Sequence, residues 1–130
     1  MSDQRNLPPG HRGLRLAGAP THSVVVASAS DRAALDRCLA DLLPTCQSRA
    51  IEVVVARNCD VTEYRELERA YPKVLFMPGP VNATLRQLRA SGLSAADGDI
   101  VSLIDDAKPI DHAWLAELAT STEGDDRDNG

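Results

Sequence analysis

The chain has 130 residues and a formal net charge of −5 at pH 7; 43% of the residues are hydrophobic, 25% are charged and 3% are aromatic. This length and composition predict one globular domain with an aliphatic core. The negative charge argues against nonspecific nucleic-acid binding, because no basic stripe is present to meet phosphates. No apolar run approaches the roughly 20 residues of a membrane span.

The two ends of the chain differ in composition from its middle. Residues 1–22 contain three prolines and three glycines with little hydrophobic periodicity, and residues 121–130 are acidic and polar. We predict a flexible N-terminal arm over 1–22, a folded domain over 23–120 and a disordered acidic tail over 121–130. The N-terminus lacks the apolar centre of a signal peptide, and three cysteines without metal-ligand spacing fit a reducing compartment. A cytoplasmic location is therefore expected.

The first half of the middle section alternates between strand and helix patterns. Residues 24–26 are three consecutive valines, a run typical of a strand that is buried on both faces. Ser30 or Asp31 can cap the helix that follows, and Pro44 is expected to end it. Residues 51–55 have the pattern of a second strand.

The second half repeats this alternation. Asp60 and Glu63 have the spacing of a capping box and predict a helix, which a third strand over residues 73–77 follows. Asn82 is the expected cap of the next helix. The fourth predicted strand covers residues 100–104, and Asp111 is expected to cap the last helix.

Four strands that alternate with four helices predict an α/β fold, a Rossmann-like three-layer αβα domain with a mostly parallel sheet. The expected strand order is 3-2-1-4, which has its switch point between the first and fourth strands. Residues 27–31 would then face Asp105 and Asp106 across one crevice. Two carboxylates at the end of a buried strand are costly unless they meet a cation, a hydroxyl or water, so this edge is the expected ligand site.

A set of residues in the last third of the chain follows a defined order of helix, turn, acidic strand end and new helix: Arg89, Gly98, Asp99, Asp105, Asp106, Pro109 and Trp114. This order resembles the nucleotide-binding N-terminal half of family 2 glycosyltransferases of the GT-A type, and the resemblance extends over residues 23–118. It implies a GT-A-like domain that binds a nucleoside diphosphate sugar as glycosyl donor. No nucleic-acid partner and no membrane span are implied.

The resemblance also implies site residues. The implied donor-binding residues are Ala27, Ser28, Arg57, Arg89, Asp105, Asp106 and Lys108. A divalent cation, Mg²⁺ or Mn²⁺, would be held by Asp105 and Asp106 and would offset the charge that develops on the leaving diphosphate.

Several positions depart from the family pattern. Ala107 stands where the family often has its metal-coordinating aspartate, and Lys108 beside it can supply a fixed positive charge instead. Ala90 replaces the asparagine that usually follows the helical arginine. No residue can be assigned as the base that deprotonates an acceptor hydroxyl. The resemblance therefore predicts a truncated, degenerate or partner-dependent glycosyltransferase, without an assigned catalytic residue.

Two other functions stay open at this point. One is a non-catalytic scaffolding or binding subunit of a biosynthetic complex, which would have no nucleotide affinity. The other is a stand-alone flavodoxin-like or receiver-like module, although no phospho-acceptor aspartate follows an earlier strand. The fourth strand lies at an open sheet edge in this topology, which predicts a homodimer or a heteromeric protein partner.

Individual residues also have structural interpretations. Asp105 and Asp106 can cap the turn at Pro109. Arg57 and Arg89 can be solvated or paired cations. Trp114 can belong to the core.

Overall fold

The computed structural model describes residues 21–80 and 82–127. Strands and helices alternate along the chain in the order β1 (His22–Ser28), α1 (Arg32–Ser48), β2 (Glu52–Asn58), α2 (Val61–Ala70), β3 (Leu75–Gly79), α3 (Leu85–Ala95), β4 (Ile100–Asp105) and α4 (His112–Arg127). The four strands are parallel and form one sheet in the order β3-β2-β1-β4. The predicted α/β fold and the predicted strand order are confirmed.

The sheet is covered on both faces. Helices α1, α2 and α4 contribute Leu39, Leu67 and Leu118 to the larger core cluster, together with Val24 and Val26 of β1. Helix α3 packs on the opposite face, where a smaller cluster contains Leu88. The uninterrupted valine runs of the central strands are fully buried or nearly so because both of their faces are covered.

Helix α3 lies close to the sheet at one glycine. A Cβ atom on Gly92 would collide with Cγ1 of Val25 in β1. A side chain at this position would push the helix away from the sheet. The glycine therefore lets α3 approach β1 and β2, and it fixes the position of the helix that carries Arg89.

Two predicted helix boundaries are wrong. Helix α1 continues through Pro44 to Ser48, because Cys46 on its inner face is fully buried and favours another turn over a stop at the proline. The helix ends before Ala50, whose φ of 56° is in the left-handed region. The cap of α3 is Thr84 rather than Asn82: Thr84 Oγ1 accepts from the Gln87 amide, and the Gln87 side chain accepts from the Thr84 amide.

The structure covers parts of the predicted arm and tail. Within the arm, Thr21 and His22 lie at the start of the sheet, and residues 1–20 are outside the described residues. Helix α4 extends to Arg127 and so includes residues that the sequence assigned to the tail; no proline follows Pro109 to stop it. Residues 128–130 are outside the described part. Among the described residues, no helix combines the length and the apolar character that crossing a membrane requires.

Candidate functional site

A buried polar network crosses the carboxyl ends of β2, β1 and β4. Ser28 Oγ donates a hydrogen bond of 2.5 Å to Asp106 Oδ2 and accepts one of 2.8 Å from Arg57 Nη1. The same Arg57 nitrogen donates to the Ser30 carbonyl at 2.7 Å, and Arg57 Nε donates to Glu63 Oε2 at 3.0 Å. The network therefore runs from the start of α2 to the end of β4.

The topology explains why these side chains meet. Arg57 is paired with Ser28 in the β1–β2 register, and the Asp106 amide donates to the Ala27 carbonyl at 3.3 Å, one step beyond the end of β4. Asp60 caps α2 by accepting from the Glu63 amide, while the Glu63 side chain turns toward Arg57. A sequence pattern interpreted as a helix cap thus also supplies the carboxylate that neutralises Arg57.

Burial of this network is nearly complete. Ser28 is fully buried, Arg57 is 6% exposed and Asp106 is 4% exposed. Of the two interpretations of Arg57, paired and solvated, the structure supports the paired one. Ala27 is also fully buried. Side chains of the protein itself therefore occupy the space between the ends of β1 and β4, next to a smaller cavity that Asp106 also lines.

The environment of Asp106 disfavours the charged form of its carboxyl group. Burial raises the pKa of its carboxyl, and the negative Asp105 adds to that, while the Ser28 hydroxyl and the Arg57 charge oppose it. Its second oxygen, Oδ1, is buried and has no hydrogen-bond partner among the described residues. An unpaired buried acceptor is unfavourable, and it disfavours the charged form of this carboxyl in the same direction as burial does.

An open cavity of about 600 Å³ lies beside β4. The predicted charged site residues that are not part of the buried network line this cavity. Arg89 reaches it from α3, Asp105 from the end of β4, and Lys108 from the loop that follows. Trp114 of α4 also lines it and packs partly against the main core, so this tryptophan belongs to both. The cavity, which Asp111 also lines, thus combines two cations, two carboxylates and an aromatic ring.

The two adjacent aspartates point into different surroundings. Asp105 lines the large cavity and accepts a hydrogen bond of 2.9 Å from the Ala107 amide at Oδ1, whereas Asp106 turns to Ser28. Among the side chains that the structure describes, those of residues 21–80 and 82–120, no three from His, Cys, Asp or Glu form a group that could hold a metal ion. Cation binding by Asp105 and Asp106 together stays a prediction.

The two cations that line the cavity are Arg89 and Lys108. Arg89 and Lys108 are exposed, and neither forms an ion pair with another residue of the described part of the chain. Surface cations without a fixed partner can pair with an anionic ligand at little cost, because no existing contact has to break.

A second, smaller cavity of about 330 Å³ lies on the other side of the loop after β4. Cys38 and Asp106 line it, with Arg37 and Asp41 of α1 and Lys108 of the loop. Burial raises the pKa of the Cys38 thiol to about 12, and nearby carboxylates add to the effect, so this thiol is a packing group rather than a nucleophile.

The site also contains residues that were not predicted from the sequence. Glu63 completes the buried network, and Asp111 and Ile110 line the large cavity. Asp111 was interpreted only as a cap, and it does accept a hydrogen bond from the Ala113 amide at 2.9 Å. Its position five residues after Asp106 was the available signal, because a helix that begins beside a strand end adds its cap residue to the same edge.

Comparisons of the chain with protein-family models, with curated proteins and with solved structures find no match. The function is therefore inferred from the residues and their geometry.

Proposed function

We propose that this domain binds a nucleoside diphosphate sugar in the cavity beside β4, as the donor-binding part of a glycosyltransferase-like protein. The observation that carries the proposal is the convergence of Arg89, Lys108 and Trp114 on one cavity, with both cations exposed. A volume of about 600 Å³ lies within the range of small-molecule sites.

The chemistry of the lining suits the parts of such a ligand. A guanidinium and an ammonium group pair with the oxygens of a diphosphate, the first in bidentate fashion and the second as a point charge. An aromatic ring offers a stacking surface for a base or a sugar. Asp105 and Asp111 can accept hydrogen bonds from hydroxyl groups.

The same two cations can act in the transfer step. Negative charge develops on the leaving nucleoside diphosphate as its bond to the sugar breaks, and fixed positive groups that face this charge lower the barrier. Arg89 and Lys108 would supply this charge where the family uses a divalent cation. The experiment below also tests whether Mg²⁺ or Mn²⁺ at Asp105 contributes to this charge compensation.

Glycosyl transfer would need a further chain. None of the cavity residues has been assigned as the base for an acceptor hydroxyl, so we place that group on a protein partner or on a second copy of this chain. We also propose a cytoplasmic location, which fits three free cysteines, two of them buried.

One observation favours a second candidate, a non-catalytic binding or scaffolding subunit. The crevice at the switch point, where ligands of doubly wound folds usually bind, is occupied by Ser28, Arg57 and Asp106 of the protein itself. A domain that had lost its nucleotide site would have this feature and no nucleotide affinity.

Isothermal titration calorimetry of the full chain with uridine and guanosine diphosphates separates the two candidates. We expect binding in the presence of a chelator, and a loss of affinity of at least about tenfold in the Arg89→Ala and Lys108→Ala double variant, because each lost charge-assisted contact costs about 1.5–3 kcal/mol. Arg86→Ala is the matched control, since Arg86 is exposed on the same helix and does not line the cavity.

Two results would decide against the donor site. Absence of heat at millimolar nucleotide, with and without manganese, would favour the scaffolding subunit. Equal affinity of the double variant and the Arg86→Ala control would show that nucleotide binds elsewhere. Binding that requires manganese and Asp105 would keep the site but assign the charge compensation to a metal.

A further inference from the structure

Strand β4 is the edge of the sheet among the described residues, and one of its sides has no neighbouring strand there. The Ile100 and Asp106 amides donate to the Thr21 and Ala27 carbonyls of the β1 side. Because backbone groups alternate in direction along a strand, the amides of Val101 and Leu103 point to the open side. These groups form a template for one more strand.

The open side is also apolar. Val101 is 38% exposed and Leu103 is 40% exposed, and Leu93 of the neighbouring helix α3 is 44% exposed. Val101 and Leu103 are paired with Ser23 and Val25, so they lie on the sheet face that α3 covers. Strand β4 contains no lysine and no proline, which are common means of protecting an edge from pairing.

The chain enters the fold beside this edge. The Thr21 carbonyl accepts from the Ile100 amide at 3.0 Å, and the Thr21 amide donates to Asp99 Oδ2 at 3.0 Å. The segment before Thr21 thus begins next to the start of β4, one strand position away from the open side. Two strand spacings amount to roughly 10 Å, a distance that the three residues 18–20 can span.

The amino acids before this connection match the edge. Residues 1–20 lie outside the described residues, and their sequence includes Arg-Gly-Leu-Arg-Leu-Ala at positions 12–17, in which Leu14 and Leu16 alternate with smaller or charged residues. Alternation of this kind is typical of a strand with one apolar face. The segment 1–20 carries three arginines and one aspartate, whereas the whole chain has a net charge of −5.

We propose that residues 12–17 pair with β4 as an antiparallel fifth strand of the sheet. With residues 18–20 as the connection, Leu16 lies opposite Val101, Leu14 opposite Leu103 and Arg12 opposite Asp105. Both leucines then cover the exposed apolar residues of the α3 face, and the arginine meets the carboxylate at the strand end. The occupant of the edge is this segment of the same chain rather than a second copy.

Amide hydrogen exchange of the full chain, followed by NMR, tests this pairing because it measures the two sides of β4 separately. The amides of Val101 and Leu103 report the open side, and those of Ser102 and Ile104, which face β1, report whether the fold is intact. We expect the Leu14→Asp and Leu16→Asp double variant to exchange at Val101 and Leu103 about tenfold faster than the wild-type chain, with Ser102 and Ile104 unchanged.

Leu7→Asp is the control, because it makes the same kind of substitution, with one added charge, in the same segment outside the proposed strand. It should leave all four amides unchanged. The proposal is overturned by unprotected Val101 and Leu103 amides in the wild-type chain, or by protection that the double variant does not reduce. Protection that rises with protein concentration also overturns it, because a second copy would then cover the edge.

Discussion

At the scale of single residues, Asp106 is a buried carboxyl whose environment disfavours its charge. It lies at the centre of the network with Ser28 and Arg57, and it retains one buried oxygen without a partner among the described residues. Burial raises the pKa of this carboxyl, while the Ser28 hydroxyl and the Arg57 charge oppose that shift without cancelling it.

This environment gives a prediction for the pH dependence of stability. Burial raises the pKa of Asp106 above its ordinary value of 3.8. A raised native pKa contributes stability that is fully present below the unfolded pKa and is lost as pH rises through the native pKa. The Asp106→Asn variant lacks this titration, so we expect its free energy of unfolding to improve relative to the wild-type chain as pH rises above 3.8.

Chemical denaturation of both proteins across the acid range measures this difference. The comparison cancels the other titrating groups, because both chains share them. A difference that stays constant with pH, or that shifts in favour of the wild-type chain, would contradict the assignment of a raised pKa to Asp106.

At the scale of elements, the start of α3 shows how a local contact decides a boundary. Both Asn82 and Thr84 are residue types that cap helices, and only Thr84 is followed three positions later by a glutamine that can return a hydrogen bond. The reciprocal pair of bonds therefore selects the second candidate over the first.

We expect Thr84→Ala to lower the free energy of unfolding by about 1 kcal/mol, because it leaves the Gln87 amide without its side-chain acceptor. Asn82→Ala is the control and should change stability by less than about 0.5 kcal/mol. Urea denaturation of the two variants compares them directly. A larger loss for Asn82→Ala than for Thr84→Ala would restore the boundary that the sequence predicted.

The centres of the strands were predictable from the sequence, while some helix ends and the bounds of β3 were not; β3 runs over Leu75–Gly79 rather than over residues 73–77. Runs such as Val24–Val26 are short, apolar and β-branched, and nothing else in a small domain suits them as well as a central strand. The end of α1 depends instead on a tertiary contact, because the burial of Cys46 extends the helix past Pro44. Rules that consider only neighbouring residues in the sequence cannot predict that contact.

At the scale of the whole molecule, the strand order of a doubly wound fold predicted which segments meet at one sheet edge. It did not predict which of their side chains form a buried network and which line an open cavity. Ser28, Arg57 and Asp106 form a closed network, and Arg89, Asp105 and Lys108 line an open cavity. The division follows from the hydrogen bond that holds Asp106 at Ser28, and from the Glu63 side chain that keeps Arg57 inside.

The open cavity is the part of the molecule on which the proposed function depends. Trp114 lines it and is the single tryptophan of the chain. Its fluorescence therefore reports from the proposed site, and a ligand that binds elsewhere has no other indole to perturb.

The most direct measurement is a titration of the full chain with uridine diphosphate, in the presence of a chelator, followed by tryptophan fluorescence. We predict a saturable change for the wild-type chain and for Arg86→Ala, and its loss in the Arg89→Ala and Lys108→Ala double variant. An unchanged signal at millimolar nucleotide, for uridine and guanosine diphosphates alike and with manganese added, would contradict a nucleotide site in this cavity.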